Sequence, residues 1–160
     1  MYNRAVKQIR FTKEGYEKLK EEHKTLLAQR KPAVEDLKKA RDMGDLSENG
    51  YYKSARSKLS FIDARTRSIA YSLKHAHIMD HVLTNTVAIG NTVTLMHEKR
   101  EITYQIVGDL EANPKEQKIS LKSPIGKALN GKKVGDNVIV YTPSGRTIYS
   151  IIKISVSSIS

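Results

Sequence analysis

The stretch Arg41-Asp42-Met43-Gly44-Asp45-Leu46-Ser47-Glu48-Asn49-Gly50-Tyr51-Tyr52 lies between two helical patterns, and its reading decides the fold. Backwards from it, Tyr16, Leu19, His23, Leu26, Arg30, Ala33, Leu37 and Ala40 recur at alternating spacings of three and four, the a/d rhythm of a coiled coil. Forwards, Tyr52, Ala55, Leu59, Ile62, Thr66, Ile69, Leu73 and Ala76 repeat that rhythm. Two seams of equal length flanking a short glycine-containing break bury each other only by folding back antiparallel, so the spacing predicts a helical hairpin. Asp42, Asp45 and Glu48 then stand at the end of a rod. With arms of about thirty residues and a rise of 1.5 Å per residue, the rod is roughly 45 Å long.

Ahead of the first arm, residues 1–11 read as a short lead-in, and Thr12 is placed to cap the helix, with Glu14 and Glu17 in its favourable first turns. The arm then runs from Lys13 to about Met43, with Pro32 inside it, where a missing backbone donor predicts a kink or an interruption. His23 and Arg30 are polar intrusions in the seam that set register rather than bind ligands. The second arm runs from Ser47 or Glu48 to about His75. At its start Asp45 and Glu48 have the spacing of a capping box, the acid at N-cap and the glutamate at N3. The same two carboxylates, one turn apart, also present oxygen ligands suited to a hard cation such as Mg²⁺. The residues alone leave both readings open. An exposed tip cannot enclose a substrate, so any catalysis there would be completed by a second protein's cavity.

The composition is that of a folded chain of 160 residues. There is no cysteine, which excludes disulfides, thiolate-bound zinc and a cysteine nucleophile. No apolar run reaches the length of a membrane span, and Met1-Tyr2-Asn3-Arg4-Ala5-Val6-Lys7 lacks the apolar core of a secretion signal, so a cytoplasmic protein with no membrane partner is expected. The net charge is +11, and the first eighty residues hold 18 of the 28 basic and 11 of the 17 acidic side chains. In the second arm Lys53, Arg56, Lys58, Arg65, Arg67 and Lys74 face only Glu48 and Asp63. That bias attracts a polyanion such as nucleic acid, although a solvated helix face has the same appearance.

From Val87 onward the period becomes strand-like, with β candidates at 87–95, 102–107, 118–121, 137–141 and 147–154. Turn clusters at 98–100, 111–115, 134–136 and 142–145 separate them. Ser123-Pro124-Ile125-Gly126-Lys127-Ala128-Leu129 supplies one short helix, with Ser123 as N-cap and Pro124 at the first helical position. The chain therefore reads as α+β: a hairpin domain over 1–76, a linker over 77–86 and an antiparallel β domain over 87–160. His75, His77 and His81 have no cysteine beside them and are read as no metal site. Gly126-Lys127-Ala128-Leu129-Asn130-Gly131-Lys132-Lys133 has the spacing of a phosphate loop but lacks the hydroxyl residue that follows the lysine, and it leads into a strand.

Gly44-Asp45-Leu46-Ser47-Glu48-Asn49, with Ala40-Arg41 before it and Tyr52 and Ala55-Arg56 after it, resembles the tip motif of the Gre transcript-cleavage factors of bacterial RNA polymerase. Ile106-Val107-Gly108, Ser123-Pro124-Ile125 and Gly131-Lys132-Lys133-Val134-Gly135-Asp136 resemble the C-terminal domain of the same family in order and spacing, so the resemblance spans nearly the whole chain. It implies an N-terminal antiparallel coiled-coil hairpin inserted into the polymerase's secondary channel, and a C-terminal FKBP-like domain docked at the channel mouth. By position, Asp45 and Glu48 are the acidic pair that helps hold a second Mg²⁺ for the polymerase's own hydrolysis of backtracked RNA. The ion is shared with the polymerase and none is expected on the free protein. Arg56, with Lys53 beside it, falls where the family contacts the protruding RNA 3′ segment, and Ser123 and Pro124 match the motif associated with polymerase docking.

The resemblance thus implies an accessory factor, not an enzyme in its own right, acting as a monomer with RNA polymerase and the nascent RNA 3′ end as partners. Tyr51 stands where the family usually has an acidic residue, and the basic balance leans toward the GreB-like branch. A different class of function, a non-cleaving regulator that occupies the channel and inhibits, would use the same fold; retention of both Asp45 and Glu48 favours the cleavage factor. Independent prolyl isomerase activity would need an aromatic-lined pocket, yet the chain has no Trp and both Phe residues, Phe11 and Phe61, precede the β half.

Overall fold

The computed structural model describes residues 8–44, 50–79, 85–143 and 145–156. These fall into two compact units: Glu17–His75 forms one, and the described parts of Met1–Tyr16 and Ala76–Ser160 form the other.

In the first unit the helices α1 (Lys13–Asp42) and α2 (Gly50–Lys74) form the hairpin. Their buried residues are Leu26, Ala33, Ala40, Ala55, Ile62, Ile69 and Ser72, all but the last at the seam positions the spacing predicts. Leu19, Leu59 and Leu73 pack on the cluster of Leu26, Ala33, Ile62 and Ile69. Full burial of each isoleucine contributes about 1.5–3 kcal/mol, which makes this stripe the main source of the unit's stability. The antiparallel direction is visible in the ion pairs across it. Glu22 meets Arg65 at 2.6 Å, Arg30 meets Asp63 at 2.7 Å and Asp36 meets Lys58 at 3.6 Å, so numbers rise along one helix as they fall along the other. Being exposed, such pairs add under about 1 kcal/mol each and serve register more than stability. Arg30 does not enter the seam; it stays in solvent and bonds Asp63. Pro32 does not interrupt the helix either, because its ring is exposed and α1 is continuous through it.

The second unit is built on a five-stranded sheet of order β5-β4-β3-β7-β6, where β3 is Asn91–His97, β4 Arg100–Val107, β5 Lys118–Ser120, β6 Asn137–Thr142 and β7 Gly145–Val156. Three of its pairings are antiparallel, whereas β4 and β5 run parallel, since the connection through Pro114–Glu116 returns the chain alongside β4 in the same direction. A bulge near Ile152 opposite Thr94 and Leu95 keeps Ile151 facing inward. Val93, Leu95, Ile106, Val138, Ile151 and Leu129 make the core. Leu129 belongs to the short helix α3 (Pro124–Leu129), which lies close enough that a Cβ on Gly126 would sit 2.1 Å from the Ser120 carbonyl oxygen.

This unit also takes in two segments that the sequence reading treats as lead-in and linker. Strands β1 (Ile9–Phe11) and β2 (Ala76–Ile78) pair in parallel, Ile9 opposite Ala76 and Phe11 opposite Ile78. Three residues are too few to display the two-residue alternation by which a strand is recognised. Phe11 is buried and stacks edge-on against Tyr16, with ring centroids 6.3 Å apart.

Candidate functional site

Asp45 and Glu48 lie outside the described residues; the chain on either side of them is described. Lys39 and Arg41 occupy the last turn of α1, where cations suit the carbonyl end of the helix dipole. Gly44 follows with φ +79°, a left-handed conformation that a side chain would resist, and its N–H donates to the Arg41 carbonyl at 3.3 Å. That bond closes the end of α1. On the other side α2 opens at Gly50; Tyr51 is exposed, Tyr52 half-buried and Ala55 buried, so the seam is re-entered at Tyr52.

Lys53 and Arg56 are one turn apart and share a face of α2. Both are exposed, and neither has an ion-pair partner among the described residues. Further along the hairpin, Lys58 pairs with Asp36, Arg65 with Glu22 and Arg30 with Asp63.

Ser123 and Pro124 lie in the sheet unit. The Ser123 hydroxyl caps α3, accepting from the Gly126 N–H at 3.1 Å and donating to the Ser120 carbonyl at 2.8 Å, with Pro124 exposed at the first helical position. Lys53 and Arg56 are thus brought together on one helix, and Ser123 and Pro124 on another element in the other unit.

The sequence reading missed a polar network within this second unit, between residues 10–15 and the segment after β4. The Asp109 side chain is 3% exposed and accepts from the Arg10 backbone N–H at 3.1 Å, from the Arg10 guanidinium at 3.0 Å and from Lys122 Nζ at 3.2 Å. Burial alone would push its carboxyl up; the hydrogen bonds from the Arg10 side chain and backbone and from Lys122 outweigh it and hold the pKa below the ordinary aspartate value. Two residues on, Glu111 accepts from the Thr12 N–H at 2.7 Å and from the Thr12 hydroxyl. That hydroxyl in turn accepts from the Gly15 N–H at 3.0 Å, the cap expected of Thr12. Only the Thr12 end of this arrangement carries a local signal, since its partners lie 99 residues away in sequence.

Among the described residues no group of three or more His, Asp and Glu side chains is disposed to hold a metal, and His75 instead bonds the Tyr71 carbonyl through Nδ1 at 2.7 Å. No described helix is long and apolar enough to cross a membrane.

Comparison with known proteins matches both parts of the chain. The family described as "Transcription elongation factor, N-terminal" matches residues 9–78, and "Transcription elongation factor, GreA/GreB, C-term" matches residues 82–156. Among relatives, the transcription elongation factor GreA of Trichlorobacter lovleyi is 44% identical, covering 91% of this chain and 96% of that protein. GreA of Bacillus subtilis is 43% identical, covering 90% and 94%. Among solved structures, the GreA factor homolog 1 (Gfh1) protein of Thermus thermophilus is 27% identical with a TM-score of 0.45, covering 93% of this chain and 99% of that one. Matched by family models over both halves and 44% identical to a relative over 91% of its length, the chain belongs to the GreA/GreB family of transcription elongation factors.

Proposed function

We propose that this elongation factor binds RNA polymerase, inserts the hairpin tip into the secondary channel and stimulates the polymerase's own cleavage of backtracked RNA, rescuing arrested complexes. One observation carries the reading: both carboxylates, Asp45 and Glu48, are present at the break between two helices, with the cations Lys53 and Arg56 exposed in the first turns of the second. The donor set is chemically right for Mg²⁺, a hard cation bound through one or two carboxylates with waters and phosphates. When held there jointly with the polymerase, the ion would supply an acidified water and charge neutralisation for phosphodiester hydrolysis. Asp45 and Glu48 contribute oxygen ligands. Lys53 and Arg56 hold the phosphates of the protruding RNA 3′ segment by charge. Ser123 and Pro124, at the rigidly capped start of α3, form part of the docking surface on the polymerase, presented by an FKBP-like sheet unit. Two carboxylates are too few to retain Mg²⁺ on the free protein, which acts as a cytoplasmic monomer and hydrolyses nothing alone.

The test uses Asp45→Asn, because Asn is about as good an N-cap as Asp and a far poorer Mg²⁺ ligand. In a transcript-cleavage assay on stalled, backtracked complexes titrated with Mg²⁺, wild type should shorten the transcripts. The variant should lose orders of magnitude in rate at limiting Mg²⁺ and recover part of it in excess, with polymerase affinity within a few-fold. Equal rates across the titration would limit Asp45 to capping; no cleavage with wild type would favour the non-cleaving channel regulator.

A further inference from the structure

We propose that Tyr51 is a stacking platform for an unpaired base near the 3′ end of the RNA, so that this chain reads the extruded transcript by an aromatic ring as well as by charge. The inference rests on the cleavage-factor reading above. Tyr51 is 45% exposed in the first turn of α2, and the adjacent Tyr52, not Tyr51, re-enters the seam. Tyr51 is therefore not one of the buried seam residues of α2. Its ring and hydroxyl make no ring contact or hydrogen bond among the described residues, unlike Tyr71, whose ring lies 4.1 Å from that of His75.

The placement divides the work of holding RNA. Five residues of α-helix rotate through about 140°, so Arg56 lies on a different side of α2 from Tyr51, and Lys53, on the Arg56 face, is farther round still. A single strand whose phosphates lie on the Lys53 and Arg56 face therefore passes round α2, toward the tip, for a base beyond those phosphates to meet the ring. Bases splayed from a single strand are held by stacking on aromatic faces regardless of sequence, an interaction that needs a flat ring and not merely apolar area. A leucine of similar burial would not replace it.

The experiment is stimulated cleavage in backtracked complexes of bacterial RNA polymerase by the full chain and by Tyr51→Phe, Tyr51→Leu and Tyr51→Ala, at subsaturating factor. Each complex is prepared with an ordinary transcript and with one whose 3′-terminal nucleotides lack their bases. The side chain is exposed, so the helix content of all variants should match wild type by circular dichroism. On the ordinary transcript Tyr51→Phe should act like wild type, and Tyr51→Leu and Tyr51→Ala should fall about tenfold. On the base-free transcript wild type should fall to the level of Tyr51→Leu, and the substitution should cost nothing further. Equal activity of Tyr51→Leu and wild type on the ordinary transcript overturns the proposal. So does a leucine defect that persists undiminished without the bases, which would place the ring against the polymerase wall. Wild type without effect on the ordinary transcript would overturn the cleavage reading and this inference together, whereas the two preceding outcomes leave that reading standing.

Discussion

Asp109→Asn tests whether the second unit depends on the link between its sheet and the strand leading into α1. The carboxylate is 3% exposed and its donors differ in accessibility, Arg10 being 34% and Lys122 50% exposed. Removing one partner of a fully buried pair costs about 3–5 kcal/mol, but the guanidinium here can recover water, and the Lys122 contact, half in solvent, adds under about 1 kcal/mol. Asn keeps one acceptor oxygen for the Arg10 N–H and turns its amide donor toward the remaining donors. The net loss should be about 2 kcal/mol, or about 6 °C in melting temperature for a chain of this size. Its pH dependence has a definite sign. The folded carboxyl titrates below its unfolded value of about 3.9, so its contribution is complete above that pH and is lost as pH falls through the depressed folded value. The gap between wild type and variant, followed by circular dichroism, should therefore be constant from pH 7 to about pH 5 and should close in more acid solution. A melting shift below about 1 °C at pH 7, or a gap that does not narrow as pH falls below about 3.9, would refute the reasoning.

Two other substitutions probe separate parts of the molecule. Arg56→Ala should weaken transcript cleavage several-fold at low salt, with the deficit shrinking as salt rises and polymerase binding unchanged; loss of binding at every salt concentration would make Arg56 a docking residue instead. Gly126→Ala pushes a methyl group toward the Ser120 carbonyl oxygen, 2.1 Å from the ideal Cβ, so the segment carrying Ser123 and Pro124 must shift, at a cost of about 2–3 kcal/mol in chemical unfolding. Wild-type stability would show that α3 slides away without strain.

The hairpin was legible because its information is periodic. Leu26, Ala33, Ala40, Ala55, Ile62 and Ile69 are buried where spacings of three and four put them, and the interval between the two seams specifies their antiparallel return. Arg30 and Pro32 were read as disturbances of the seam because residue type argues that way. The structure places the Arg30 charge on Asp63 and the Pro32 ring in solvent, choices that depend on what the opposite helix and the surrounding water offer. Of the sheet, β6 and β7 were visible from alternation, but the parallel pairing of β5 with β4 was not, because a three-residue strand reveals neither its direction nor its neighbour.

The candidate site divides along the same line. Gly44-Asp45-Leu46-Ser47-Glu48-Asn49 announces itself because a tip needs its chemistry within a few consecutive residues, and Lys53 and Arg56 follow one turn later for the same reason. Ser123 before Pro124 is equally local, and the N-cap it predicts is the one observed. Asp109 and Glu111 have no such signal. Their partners, Arg10 and Thr12, are 99 residues away, and Gly108-Asp109-Leu110-Glu111 reads by itself as an ordinary turn. Both carboxylates come from that one segment and both bind backbone N–H groups of the strand and cap that begin the chain's longest helix. Arg10 and Thr12 belong to the same unit as Ser123 and Pro124, so the network ties that unit's first strand to the segment after β4. A substitution at Asp109 should therefore be felt first as a loosening of that unit around β1 and the α1 cap, with the local chemistry of Lys53, Arg56 and Tyr51 unchanged.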